Sequence, residues 1–295
     1  MATAIHEKAS HRVLAKLVLA GCSVLAGASG LASGQVALPS VVPEKRPAGV
    51  SGFAAVGDVR VHYEVYGAGE PVLLLHGGGG SIATSWPPDF IMELSRDFRV
   101  VLADMRGHGR TADGIGPMTY GRLTFDVVRL LDHLGIDRAH VIGHSMGAIT
   151  GLHLLVDFPD RVRTVTLLAG AYHVDNYRRE AHEDLKRELD AVIRGEDSTS
   201  RWASMPVSVL TKLRDSVLTG PTLTTRVLDT IRRPTLIVAA GQDAYFAPSV
   251  AEEMHAHIKG SELIVFPDAT HRVQVTNVKE LIPAIRDFVM RRSER

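Results

Sequence analysis

A serine between two glycines stands at Gly143-His144-Ser145-Met146-Gly147, directly after the apolar run Ala139-His140-Val141-Ile142 and directly before the apolar positions Ile149, Leu152 and Leu155. A hydroxyl held on a sharp strand-to-helix turn needs small neighbours, because side chains there would collide, and the turn leaves its oxygen exposed at a helix N-terminus. Ser145 is therefore a candidate nucleophile. The five-residue pattern is weak alone, since glycines also flank serines in plain turns, but further features agree with it. His76-Gly77-Gly78-Gly79-Gly80 ends the apolar residues 72–75. Glycines there let backbone N–H groups approach a substrate oxygen, and the N–H groups of Gly78 and of Met146, the residue after the serine, make the expected oxyanion site. The run lacks the G-K-[ST] ending of a phosphate cradle. Asp243 closes the apolar segment that starts at Pro234, and His271 closes the next one, Val265-Phe266-Pro267-Asp268-Ala269-Thr270. A histidine can take the serine proton while the aspartate orients the imidazole and stabilises its charged form.

Such distant residues meet only on a scaffold that gathers their loops. Residues 59–66 alternate apolar with polar side chains as a half-buried strand does, while 72–75 and 100–102 are continuous apolar runs suited to strands buried on both faces. Residues 91–98 read as a helix. Val127, Leu130, Leu131 and Leu134 make a 3.6-residue stripe ending at Gly135. Strands follow at 139–142, 162–168, 235–239 and 263–266, with helices near 249–258 and 281–291. This alternation predicts an α/β fold, a mostly parallel sheet with helices on both faces. Ligand sites of such sheets gather at the C-terminal edge of the strands, where Ser145, Asp243 and His271 all fall. Between Gly170 and Pro234 the patterning is helical only, with Leu185, Leu189, Val192 and Ile193 on one face and Leu210, Leu213 and Val217 on another. We expect a small helical cap there, about 171–232, inserted after the sixth strand, and read its charged residues 178–187 as a solvated face.

With these features in place, Asp104-Met105-Arg106-Gly107-His108-Gly109 looks like the D-x-R-G-x-G turn of the α/β-hydrolase fold family, which the chain resembles from about Gly52 onward. Thr111 stands where serine is commoner, and Ala148 where many members carry a further glycine. A serine at the elbow, rather than an aspartate, departs from the family's epoxide hydrolases and haloalkane dehalogenases. Some members carry the acid after the sixth strand, which makes Asp175 the reserve for Asp243. The resemblance implies a serine hydrolase that cleaves a small or medium ester or lactone through an acyl-enzyme. Amide cleavage, carbon–carbon bond hydrolysis, perhydrolysis and acyl transfer use the same residues. A non-catalytic ligand-binding protein on the same fold is the alternative of another class. No cofactor or metal is expected, since His255 and His257, two apart on a helix, do not share a face.

Composition narrows the partners. With 45% hydrophobic and 22% charged residues the chain can bury a sizeable core. Its 33 basic residues balance 33 acidic ones, which argues against a nucleic-acid partner and leaves a small molecule as the expected one. An aromatic content of 5% favours a compact substrate over a long lipid. At the N-terminus Lys8, Arg12 and Lys16 precede the apolar residues 17–31 and the polar break Ser33-Gly34-Gln35, the order of a signal peptide over 1–34. Ala26-Gly27-Ala28 supplies a cleavage signal, with Ala32-Ser33-Gly34 as a looser second. Leu19-Ala20-Gly21-Cys22 resembles a lipobox, which makes Cys22 the candidate lipidation site, and membrane attachment is expected only if it is used. The apolar run continues past Cys22, so soluble export is the favoured reading. Pro39, Pro43 and Pro47 mark residues 35–51 as an extended linker, and the folded domain is expected over 52–295.

Overall fold

The computed structural model describes residues 49–293. The leader, its cleavage sites, Cys22 and the proline-rich segment up to residue 48 lie outside the described residues. An antiparallel hairpin, β1 (Val50–Val56) and β2 (Val59–Tyr66), turns at Gly57, whose φ of 54° suits glycine. β1 begins two residues before Gly52: Val50 and Ser51 pair with Val65 and Glu64, but both face solvent, so no apolar pattern marks them as strand.

The chain continues through β3 (Glu70–Leu75), α1 (Ile82–Ser85), α2 (Pro88–Ser95), β4 (Phe98–Ala103), α3 (Tyr120–His133), β5 (Ala139–His144), α4 (Met146–Asp157) and β6 (Val162–Leu168). After β6 come α5 (Arg179–Ile193), α6 (Val207–Thr219) and α7 (Thr225–Leu228), and then β7 (Thr235–Gln242), α8 (Pro248–His257), β8 (Glu262–Thr270), α9 (Val273–Thr276) and α10 (Val278–Ser293). The eight strands lie in the order β1-β2-β4-β3-β5-β6-β7-β8, with β2 antiparallel to both neighbours and every pair from β4 to β8 parallel. The helix expected over 91–98 is α2, which starts earlier because Pro88 suits a first turn, and stops at Ser95 so that Phe98 can pair with Glu70 as the start of β4.

The central strands are buried on both faces because each face feeds a separate core. Leu73, Leu75, Val101, Val141, Leu167 and Ile237 pack in the core that α3, α4 and α8 cover, while Val72, Leu74, Val100, Leu102, Ile142 and Val238 share the other with Phe90 and Ile91 of α2 and Leu281, Ile285 and Phe288 of α10. Burying one such side chain stabilises the fold by about 1.5–3 kcal/mol. The segment between β6 and β7 forms the helical cap: Leu185, Leu189 and Val192 of α5 are buried together with Leu210, Leu213 and Val217 of α6. Lys212 of α6 ties the cap to the loop after β4 through an ion pair of 2.8 Å with Asp113.

Candidate active site

Ser145 leaves β5 with φ 53° and ψ −117°, a positive-φ conformation that non-glycine residues rarely adopt. The surroundings hold it there. Its N–H donates to Leu168 O at 2.9 Å. A Cβ at position 143 would lie 2.2 Å from Gly147 O, and one at position 147 would lie 2.2 Å from Leu75 O. Strand, turn and helix thus cross too closely for any side chain at either glycine. Ala148 fits where a further glycine is common because Gly170 stands opposite, at a point where a Cβ would come within 2.7 Å of the Ala148 methyl.

His271, one residue past β8, places Nε2 2.9 Å from Ser145 Oγ and Nδ1 2.9 and 3.0 Å from the two carboxylate oxygens of Asp243. Nδ1–H therefore faces the carboxylate, and Nε2 is left to accept the serine proton. Asp243 is itself fixed, since its Oδ1 accepts the N–H groups of Tyr245 at 2.8 Å and Phe246 at 3.2 Å. Asp175 stands apart: its side chain is 86% exposed and faces His173 at 3.3 Å. The structure brings Ser145, Asp243 and His271 together and leaves Asp175 out.

The expected oxyanion loop is built from beneath. Gly78 adjoins Met146, whose sulfur would lie 3.8 Å from a Cβ at position 78. The N–H of Met146 opens α4, so it has no acceptor within the helix and lies at the positive end of the helix dipole. His76, fully buried, accepts the Met105 N–H at Nε2 and donates from Nδ1 to Gly77 O, and burial pushes its pKa down. Asp104 accepts the N–H groups of Ile82 at 2.7 Å and Arg110 at 3.0 Å, and Gly109, with φ 54°, leaves room for that carboxylate where a Cβ would come within 2.4 Å of it. The D-x-R-G-x-G turn is thus a brace for the loop and for α1.

Several residues at the site carry no local signal in the sequence. His144 donates from Nε2 to His271 O at 2.8 Å, and burial, then the nearby His271, push its pKa well down. Arg178, expected on a solvated face, donates Nε to Asp243 O at 3.0 Å. Trp202 of the cap lies against Gly79, which with φ 70° has no room for a Cβ: it would fall 2.1 Å from the indole ring. Tyr245 stands edge-on to His271 at 4.7 Å. That the chain has only two tryptophans is the one available hint, and it does not reveal where either of them packs. Among the described residues no group of three His, Cys, Asp or Glu side chains is placed to hold a metal ion, and no helix is long and apolar enough to cross a membrane.

Known proteins share this arrangement of strands and turns. Residues 70–194 match the family model described as alpha/beta hydrolase fold. RutD of Azorhizobium caulinodans, named as a putative carbamate hydrolase, is 34% identical over 215 residues, covering 65% of this chain and 80% of that one. The 3-oxoadipate enol-lactonase 2 of Acinetobacter baylyi is 31% identical over 147 residues, 49% of this chain and 55% of its own. The crystal structure of a hydrolase from Pseudomonas aeruginosa superposes with a TM-score of 0.72 at 26% identity, covering 82% of this chain and 99% of that one. With sheet order, elbow and sequence similarity in agreement, the chain belongs to the α/β-hydrolase fold family and is a hydrolase of that fold.

Proposed function

We propose that this hydrolase cleaves a small or medium carboxylic ester or lactone through an acyl-enzyme on Ser145. The observation that carries the reading is the continuous hydrogen-bonded line from Ser145 Oγ through His271 to the Asp243 carboxylate. As Oγ attacks the acyl carbon, His271 Nε2 takes its proton and Asp243 stabilises the imidazolium; the same proton then goes to the leaving alkoxide, and water repeats the sequence to release the acid. The N–H groups of Met146 and Gly78 hold the oxyanion, and loss of one such donor typically costs about 3 kcal/mol of barrier. Leu213, Met146 and Trp202 crowd Gly78 and Gly79, which supports a compact acyl group.

The enol-lactonase relative supports a lactone or ester. The 34% identity to a chain named as a putative carbamate hydrolase favours carbamate cleavage as a second reading, in which His271 protonates a nitrogen leaving group. The leader supports export as part of the same proposal, which intact-mass analysis of the mature protein tests at Ala28 and Cys22. Fluorophosphonate labelling followed by turnover of an ester, lactone, carbamate and amide panel tests the activity. We expect a label on Ser145 and faster turnover of esters and lactones. An unlabelled serine, or a preference for carbamates, overturns the first reading.

A further inference from the structure

Leu213 and Met146 adjoin Gly78. Near His271, guanidinium groups arrive from separate segments. Arg201, in the loop between α5 and α6, lies 4.4 Å over the Trp202 ring and donates to the Tyr245 hydroxyl at 2.7 Å, and Tyr245 in turn stands against His271. Arg272, next after His271, reaches to the carbonyl of Thr84 in α1. Arg201 is thus tied through Tyr245 to the wall beside the histidine, and Arg272 follows the histidine in the chain.

Arg201, its side chain 54% exposed, is matched by one carboxylate, and Arg272 is matched by none among the described residues. Glu188 lies 3.9 Å from Arg201 and is also engaged by Ser200, while among the described residues no carboxylate comes within 4.0 Å of Arg272. Arg272 is half-buried, and burial, then the charge of Arg201, push its pKa below the usual range. A partly desolvated cation facing a like charge is costly unless an anion joins it. Guanidinium groups offer planar pairs of N–H donors that match a carboxylate.

We propose that the substrate carries a carboxylate in addition to its scissile ester or lactone, and that Arg201 and Arg272 hold this carboxylate while the acyl carbon lies at Ser145. The inference rests on the ester-or-lactone reading and deepens it. The test compares the monomethyl esters of glutaric, adipic and pimelic acids with methyl hexanoate by pH-stat, in the full-length protein and in Arg201→Gln and Arg272→Gln. At least one monoester should exceed methyl hexanoate by about tenfold in kcat/KM, and each variant should lose about tenfold on that monoester through KM, as expected for one charged hydrogen bond. Turnover of methyl hexanoate should change less than about twofold, a control for the neighbouring His271. Equal turnover of charged and neutral esters, or parallel loss of both in the variants, overturns the proposal. If no ester is turned over, the ester reading fails, and calorimetric titration with adipate decides the anion site: binding lost in both variants supports it, and no binding to the parent protein overturns it.

Discussion

The elbow and the cap wall meet within the same site but are made in different ways. At the elbow, position is set by backbone: Gly143 and Gly147 are required by contacts of 2.2 Å, and Ser145 is held at φ 53° by the elements that cross around it. At the cap wall, position is set by side chains from distant segments, with Trp202 on Gly79, Arg178 on the Asp243 carbonyl and Arg201 on the Tyr245 hydroxyl. Steric demands of the first kind leave a glycine pattern in the sequence, and the side-chain contacts of the second leave none beyond Gly79 itself. Chemistry should therefore fail when the elbow side is altered, and substrate choice should shift when the wall is altered.

The largest effect belongs to Ser145→Ala, which removes the proposed attacking oxygen from the turn without touching the core. Acyl turnover should fall on the order of 10⁴-fold or more with the thermal midpoint nearly unchanged. Retention of most activity on p-nitrophenyl acetate would remove Ser145 from the mechanism. Next comes Asp243→Asn, which leaves the loop in place but gives His271 a wrong hydrogen-bond partner, and kcat should drop by about 10³–10⁴. Asp175→Asn, altering an exposed carboxylate, should change kcat less than about twofold. The reverse ranking in steady-state kinetics would move the acid to the segment after β6.

Much of the elbow side is legible in the sequence, because residues that need close backbone approach or a buried strand announce themselves. The glycines about Ser145, the apolar strands β3, β5 and β6, and the beginnings of β7 and β8 all show in the pattern. The boundaries that differ are those decided by pairing: Phe98 belongs to β4 because Glu70 lies beside it, and β8 runs on to Thr270 because Gln242 pairs there. The wall is not legible. Arg178 looks like any exposed cation in a charged stretch, and only the fold brings it to Asp243. His144 is hidden in a similar way, since nothing in Gly143-His144-Ser145 says that its ring will hold the His271 carbonyl.

The two regions touch at Gly79, and a substitution there sharpens the comparison. Gly79→Ala must place a methyl at φ 70° where the Trp202 ring lies, so the loop or the ring moves. We expect kcat on a minimal ester to fall by about 10²-fold as the proposed oxyanion donors shift. Adding Trp202→Ala should restore part of that loss if the clash is its cause. A double variant no better than Gly79→Ala would show that the left-handed backbone, and not the cap, is the constraint.

The smallest effect concerns acid stability, and it again separates the two regions. His76, His108 and His144 are buried beneath the loop and elbow, and burial pushes the pKa of each down, that of His108 to about 3. A histidine kept neutral in the fold gains no proton as the pH falls below the unfolded value of about 6.5, whereas the unfolded chain does, so stability is full above that pH and declines toward the folded pKa. For His108 alone the decline between pH 6.5 and pH 5 should be about 1.5 kcal/mol. His108→Asn can keep the hydrogen bond that Nδ1 makes to Arg106 O while removing the titration. Unfolding free energies from urea titrations at both pH values should then converge by about that amount relative to the parent chain. An unchanged pH dependence would mean that His108 is not held neutral by the fold, and that acid lability arises elsewhere.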